Sequence, residues 1–188
     1  MIFWVSLNVK SFDITSMAIF ELVTIFSFYT IFVVVLLYVV FGGFIYGAMW
    51  MKLPKRRVQK ILELGNVVEG KLVYDLGAGF GNVAFQAQKA GASVVAVEAD
   101  WFKAGWIKHQ IRKQKLKNIS CIKDNLLDVD LRRADVLLCY LSDSLMTKIM
   151  EKPLKETVVI VSACHKIKSY TPKLIDKDGI YPIYVYSK

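Results

Sequence analysis

A chain of 188 residues has room for about one domain, and at 55% apolar with a net charge of +9 it excludes a disordered polyampholyte. The two properties are segregated. After Trp50 there are 24 Lys or Arg against 14 Asp or Glu, so the C-terminal part carries about +10, a balance suited to an anionic surface, either phospholipid headgroups or nucleic acid. Cys121, Cys139 and Cys164 are odd in number, widely spaced and set in apolar segments, which excludes a disulfide framework and metal-ligand spacing. They read as buried reduced thiols, and no zinc or iron site is expected with His109 or His165.

Residues 1–21 form a leader whose Ile2, Phe3, Trp4 and Val5 suit a membrane interface. From Leu22 to Trp50 no residue is charged, and that run exceeds the roughly 20 apolar residues needed to cross a bilayer. A signal peptide carries only about 7–15 apolar residues before its cleavage site, so residues 22–50 are expected to be a retained transmembrane helix. Gly42 and Gly43 within it fit simple tolerance of glycine in lipid better than a packing motif. Lys52, Lys55, Arg56 and Arg57 follow the run, whereas Lys10 on the other side is offset by Asp13 and Glu21. The positive flank places residues 51–188 on the cytoplasmic side of a single-pass chain. With an anchor present, the basic domain is expected to meet lipid rather than nucleic acid.

Pro54 opens a helix in which Val58, Ile61, Leu62 and Leu64 recur at helical spacing, stopped at Gly65. Short β-rich runs then alternate with helices. The strands are Leu72–Leu76, Ser93–Glu98, Ile119–Ile122, Val136–Leu141 and Val158–Ala163, with a closing strand near Tyr181–Tyr186. The helices span about Asn82–Ala90, Trp101–Lys115 and Ser144–Lys152. Strands separated in this way predict an α/β fold, a Rossmann-like doubly wound, mostly parallel sheet preceded by one transmembrane helix.

The stretch Asp75-Leu76-Gly77-Ala78-Gly79-Phe80-Gly81-Asn82 runs from a strand through a glycine-rich turn into a helix. Glycine is required where the backbone takes positive φ or approaches a ligand closely. A dinucleotide site has G-x-G-x-x-G, whereas here the spacing is G-x-G-x-G with Asn82 following. Asp75 suits a cationic ligand end and would repel a pyrophosphate. Glu98, at the end of the second strand, lies where a carboxylate accepts bonds from both ribose hydroxyls. Asp124, Asn125 and Leu126 follow the third strand, where a polar side chain can meet an adenine amino group and Leu126 its face. Taken in order, Asp75, Gly77, Gly79, Gly81, Glu98, Asp124, Asn125 and Leu126 outline a cleft for a nucleoside cation, S-adenosylmethionine (SAM).

The acidic strand end and G-x-G-x-G spacing of Val73–Gly81 resemble the first motif of class I SAM-dependent methyltransferases. Further matches are Arg57–Leu64 before the first strand, Val97-Glu98, Asn125–Asp130, Tyr140-Leu141, Val161-Ser162 and Tyr170-Thr171-Pro172. With these the chain is similar to the small protein-lysine methyltransferases. That family includes an archaeal broad-specificity enzyme and the membrane-anchored mitochondrial enzymes acting on the ATP synthase c subunit and the adenine nucleotide translocase. Phe80 and Asn82 stand where the family often has an acid and a basic residue, and Lys52-Leu53-Pro54 where it has a Pro-Thr-Pro-like entry.

The resemblance implies a lysine acceptor on a membrane or membrane-adjacent protein. Tyr140, at the end of the fourth strand where this fold places its acceptor pocket, is the candidate catalytic wall, and Tyr170 the second. Tyr140 equally suits a half-buried core aromatic. Cys139-Tyr140-Leu141-Ser142 lacks the Asn/Asp-Pro-Pro-aromatic run of base methyltransferases. The helix from Trp101 is expected to turn its aromatics to the core and its basic residues to solvent, the other reading being a membrane-surface element. An acceptor that is a lipid, quinone or other small membrane-soluble molecule suits the anchor equally, and a noncatalytic nucleoside-binding protein is the reading from another class.

Overall fold

Near-continuous runs of Val, Leu and Ile hold as strands only when both faces are covered. That is how β1 (Leu72–Leu76), β2 (Ser93–Glu98), β4 (Val136–Cys139) and β5 (Val159–Ala163) are placed. The structure, a computed structural model, describes residues 14–45, 53–179 and 181–188. The chain divides into two compact units, Met1–Ile45 and Tyr46–Lys188.

In the second unit, β3 (Ile119–Lys123), β6 (Leu174–Asp176) and β7 (Ile183–Ser187) complete a seven-stranded sheet ordered β3-β2-β1-β4-β5-β7-β6. The first five strands pair in parallel, and β7 runs antiparallel to both β5 and β6. One face of the sheet is covered by α2 (Lys55–Leu64), α3 (Asn82–Lys89) and α4 (Trp101–Lys113), through Val58, Ile61, Ala84, Ala87 and Ile107. The other face takes Met146, Ile149 and Met150 of α5 (Asp143–Met150), together with Val129, Leu131 and Ile167 from connections. The connections 124–135 and 164–173 carry no helix. In the second of them, the buried Tyr186 hydroxyl accepts from the Ile167 N–H at 2.9 Å.

Three helices stop in the same way. After α2, the Val67 N–H reaches Leu62 O and the Asn66 N–H reaches Glu63 O, with Asn66 at φ 47. Gly91 after α3 and Lys115 after α4 repeat the pattern, the Schellman arrangement that satisfies the last carbonyls. Gly65, expected to be the stop of α2, has φ −79. Its lack of a side chain serves packing instead, since a Cβ there would lie 3.2 Å from both Val136 and Val161.

The structure departs from sequence expectation in four further places. The three-residue strand β6 was not anticipated, because Leu174 and Ile175 are exposed at the sheet edge and make no apolar alternation. Arg57, counted among the positive flank of the anchor, is buried and bonds Asp176 and the carbonyls of Asp178 and Tyr181. Of the three thiols only Cys139 is buried, while Cys121 and Cys164 are partly exposed and all three are free. In α4 the residues that face the sheet are Ala104 and Ile107, and Trp101, Phe102 and Trp106 stand exposed. Small Ala104 lets the helix sit close to the sheet, so the large rings lie on the flank.

The first unit contains α1 (Ile14–Ile45), 32 residues or about 48 Å of helix. It begins before Glu21, the only charge in the helix, because one exposed glutamate does not interrupt helical hydrogen bonding. Ser16–Tyr38 is long and apolar enough to cross a membrane by length and composition. Thr24, Ser27 and Thr30 each donate to the carbonyl four residues back, at 2.7, 2.7 and 2.8 Å, which satisfies their hydroxyls within the helix as an apolar medium demands. The leader residues before Ile14, and positions 46–50 of the expected span, lie outside the described residues.

Candidate active site

The chain runs outward from β1 to β2 to β3, then returns to β4 on the other side of β1. Ligands in open α/β sheets bind at that reversal, beyond the carboxyl ends of the strands. Gly77 stands there. It takes φ 75, and a Cβ on it would lie 2.9 Å from Leu141, so the β1 loop and the end of β4 meet at this point.

The loop is tied down by main-chain bonds. The Gly77 and Ala78 N–H groups both donate to Val97 O, at 2.9 and 3.0 Å, and the Gly81 N–H to Ala78 O at 2.8 Å. Gly77, Gly79 and Gly81 all have positive φ, at 75, 57 and 81. Gly81 has a second role as the residue before α3, where a Cβ would meet Phe85 at 2.7 Å and Ile107 at 3.2 Å.

Two buried acids flank the loop. Asp75 Oδ2 accepts from the Ala84 N–H at 2.9 Å, in the first turn of α3. Burial pushes its carboxyl up to about 7, the Ala84 bond opposes the shift, and the nearby Glu98 adds to it. Glu98 Oε2 accepts from Gly79 N–H at 2.6 Å and Oε1 from Asp100 N–H at 2.9 Å. A carboxylate has about four acceptor positions, so two remain for a ribose diol. Asp100, absent from the residues singled out by spacing, is buried and caps α4 by accepting from Phe102 and Lys103 N–H at 2.8 and 3.2 Å. An Asp just before a helical run was the signal for it.

The Asp124 N–H donates to Glu98 O at 3.2 Å, which holds the loop after β3 beside β2. Asp124 and Asn125 are exposed and spend one oxygen each on local N–H groups, of Asn125 and Leu127. Leu126 packs on the core cluster that also holds Leu76 and Val97.

At the ends of β4 and β5 a second group converges that sequence spacing did not single out as a set. Tyr140 and His165 rings lie 6.3 Å apart, tilted by 30°. Burial, together with a hydrogen bond to the Cys164 thiol and the proximity of Tyr181, pushes the Tyr140 hydroxyl up to about 12. The Tyr140 hydroxyl is therefore neutral near pH 7. Cys164 takes φ 74, unusual for a residue with a side chain, and its N–H donates to Pro182 O at 2.8 Å. Tyr170 packs against the opposite face of the sheet from Tyr140, and the tyrosine that shares Tyr140's side and lies near its hydroxyl is Tyr181. Burial also raises the Cys121 and Cys139 thiols, Cys121 to about 11, which leaves neither as a thiolate nucleophile. Among the described residues no three His, Cys, Asp or Glu side chains converge as a metal site.

The ANTKMT methyltransferase domain family matches residues 75–174, from Asp75 to Leu174. The chain belongs to this family. Its cofactor is SAM, and the residues present fit it: acids sit at the loop and at the end of β2, and no Lys or Arg stands between Asp75 and Asn82 to neutralise a pyrophosphate. A protein-lysine N-methyltransferase from Saccharolobus islandicus is 28% identical over 149 residues, 71% of this chain and 89% of that one. A probable ribosomal RNA small subunit methyltransferase A from Methanosphaera stadtmanae is 32% identical over 104 residues, 53% of this chain but only 38% of that relative. Among solved structures, a Salinibacter ruber RNA methyltransferase in complex with S-adenosyl-L-homocysteine superposes with a TM-score of 0.69 at 23% identity, covering 73% of this chain and 93% of that one. The ribosomal protein L11 methylase from Lactobacillus delbrueckii subsp. bulgaricus gives 0.58 at 19%, covering 70% and 78%. These two likenesses establish the class I methyltransferase fold.

Proposed function

We propose that this methyltransferase modifies lysine side chains of a membrane or membrane-adjacent protein, held at the membrane by α1 with its catalytic unit on the cytoplasmic side. The observation that carries the lysine reading is the 28% identity to the Saccharolobus islandicus protein-lysine N-methyltransferase along 89% of its length, beside this chain's own family match over residues 75–174. The length and composition of α1, with Lys55 and Arg56 after it, support the tether and its orientation. Nine residues separate the end of α1 from α2. A tether of that kind raises the local concentration of membrane targets, which answers the objection that a domain of about +10 does not attract lysines.

The glycine loop and Glu98 would hold the adenosine part of SAM, with Asp75 toward its cationic end. When bound, SAM supplies a methyl group on a sulfonium centre. A lysine ammonium has a pKa near 10.4, so only roughly one in 10³ to 10⁴ is neutral at pH 7. Tyr140 and Tyr181 exclude water from the approach and lower that pKa by desolvation. They need supply no proton acceptor. Their work is to align the amine for in-line attack.

The anchor also favours a lipid, quinone or other small membrane-soluble acceptor. Labelled-methyl SAM given to membranes containing the full chain distinguishes the two readings. Label in methylated lysine after acid hydrolysis, lost in Glu98→Gln, is the expected result. Label confined to the organic extract would replace lysine by a small acceptor, and label that persists in Glu98→Gln would remove this site as the catalyst.

A further inference from the structure

The aromatic residues of α4 serve no core. Trp101 is 66% exposed, Phe102 50% and Trp106 46%. They are nonetheless ordered against one another: Phe80 stands edge-on to Phe102 and to Trp106, with ring centroids 6.4 Å apart in both pairs, and Trp101 meets Phe102 at 6.0 Å. Trp106 continues to His109 at 6.4 Å. Phe102, Trp106 and His109 fall at helical spacing along one side of α4, and Gly105 between them leaves open space where a side chain would stand. A contiguous exposed aromatic patch of this kind marks an interaction surface.

The charge around the patch identifies its partner. From Trp101 to Lys123 there are seven Lys or Arg and no Asp or Glu, and Lys108, Arg112 and Lys113 are exposed on the same helix. Tryptophan and phenylalanine flanked by basic residues partition into the headgroup region of anionic bilayers, where each Lys or Arg adds to the attraction. We propose that the ridge of Phe80, Trp101, Phe102 and Trp106 is a second membrane contact, seated in the headgroup layer of an anionic bilayer. This rests on the reading that α1 is a membrane anchor. Phe80 lies between Gly79 and Gly81, so seating the ridge places a residue of the cofactor loop at the membrane surface.

The test uses the full chain carrying Trp4→Phe and Trp50→Phe, so that Trp101 and Trp106 are the emitters, reconstituted in phosphatidylcholine vesicles with or without phosphatidylglycerol. The expected result is loss of emission when the phosphatidylglycerol is brominated, with protection from aqueous acrylamide. Neither effect should appear in vesicles of phosphatidylcholine alone, brominated or plain. Lys108→Glu with Arg112→Glu, both exposed, should abolish the loss while leaving the thermal melt unchanged. Quenching by acrylamide but not by bromine overturns the proposal, and so does protection from both, which would assign the ridge to a second copy or a protein. Equal bromine quenching in neutral vesicles overturns the anionic preference. Resistance to alkaline extraction reports the anchor separately. A chain that is stripped yet quenched by bromine loses the anchor and keeps the ridge, and one that is stripped and unquenched loses both.

Discussion

Arg57 of α2 and Asp176 of β6 are 119 positions apart in sequence, and their guanidinium nitrogen and carboxylate oxygen meet at 2.8 Å with both side chains 9% exposed. The same guanidinium binds the carbonyls of Asp178 and Tyr181, so the helix that opens the domain holds the hairpin carrying Tyr181. Removing one partner of such a buried pair leaves the other charge uncompensated. Arg57→Met is expected to cost about 3 kcal/mol in denaturant unfolding and to raise the acceptor KM more than the SAM Kd. The Arg57 guanidinium holds the Asp176 carboxyl below its ordinary value. The pair therefore stabilises above the normal carboxylate range, and that part is lost as pH falls through the lowered value.

Asp75 behaves in the opposite sense. Its folded-state value of about 7 lies above the ordinary 3.8, so its contribution to stability is full below about 4 and disappears as pH rises through 7. Asp75→Asn should flatten the decline of the melting temperature between pH 5 and 8. A cationic ligand end favours the ionised carboxyl, so SAM binding near pH 7 should release a proton. Calorimetry in buffers of different ionisation enthalpy reads that release, and its absence would place the cation away from Asp75.

The loop glycines should not be equivalent. At Gly77 an added methyl meets the flexible end of Leu141, so Gly77→Ala pays mainly the positive φ, about 1–2 kcal/mol. At Gly81 the methyl also presses on Phe85 and the fully buried Ile107, so Gly81→Ala is expected to cost roughly 3 kcal/mol. Thermal unfolding of the two variants gives the order directly.

Tyr140→Ala should raise the acceptor KM about tenfold, roughly the 1.4 kcal/mol that one lost aromatic packing contact is worth, and leave SAM affinity unchanged. Tyr140→Phe should keep most activity, because the neutral hydroxyl is no base. A large loss in Tyr140→Phe would restore a proton-transfer role.

Cys164 offers a separate check on the same corner. At φ 74 a glycine is free of the strain that a side chain carries, so Cys164→Gly should unfold no more readily than the parent, whereas β-branched Cys164→Val should lose about 2 kcal/mol.

Asp75, the three glycines and Glu98 could be found in sequence because each sits at a strand end that begins or follows one local turn, so spacing along the chain equals placement in space. Tyr181, Cys164 and the Arg57–Asp176 pair could not, since they are joined by the return of β7 between β5 and β6, which no local pattern encodes. β6 is short and exposed, and its existence depends on a partner strand rather than on its own residues. α4 was legible as a helix but not in its rotation. Trp101, Phe102, Ala104, Trp106 and Ile107 are all apolar, and only close approach at Ala104 selects which of them faces the sheet.

The buried acids at the loop lie inside a domain that is basic overall. An approaching cation is repelled at long range and attracted only over its last few ångströms. At 0.1 M salt the field of the outer charges decays over about 10 Å, while the inner attraction is screened much less. The association rate of SAM should therefore rise with ionic strength, the reverse of ordinary electrostatic steering. Affinity gained in this way comes from faster arrival, with the residence time left unchanged.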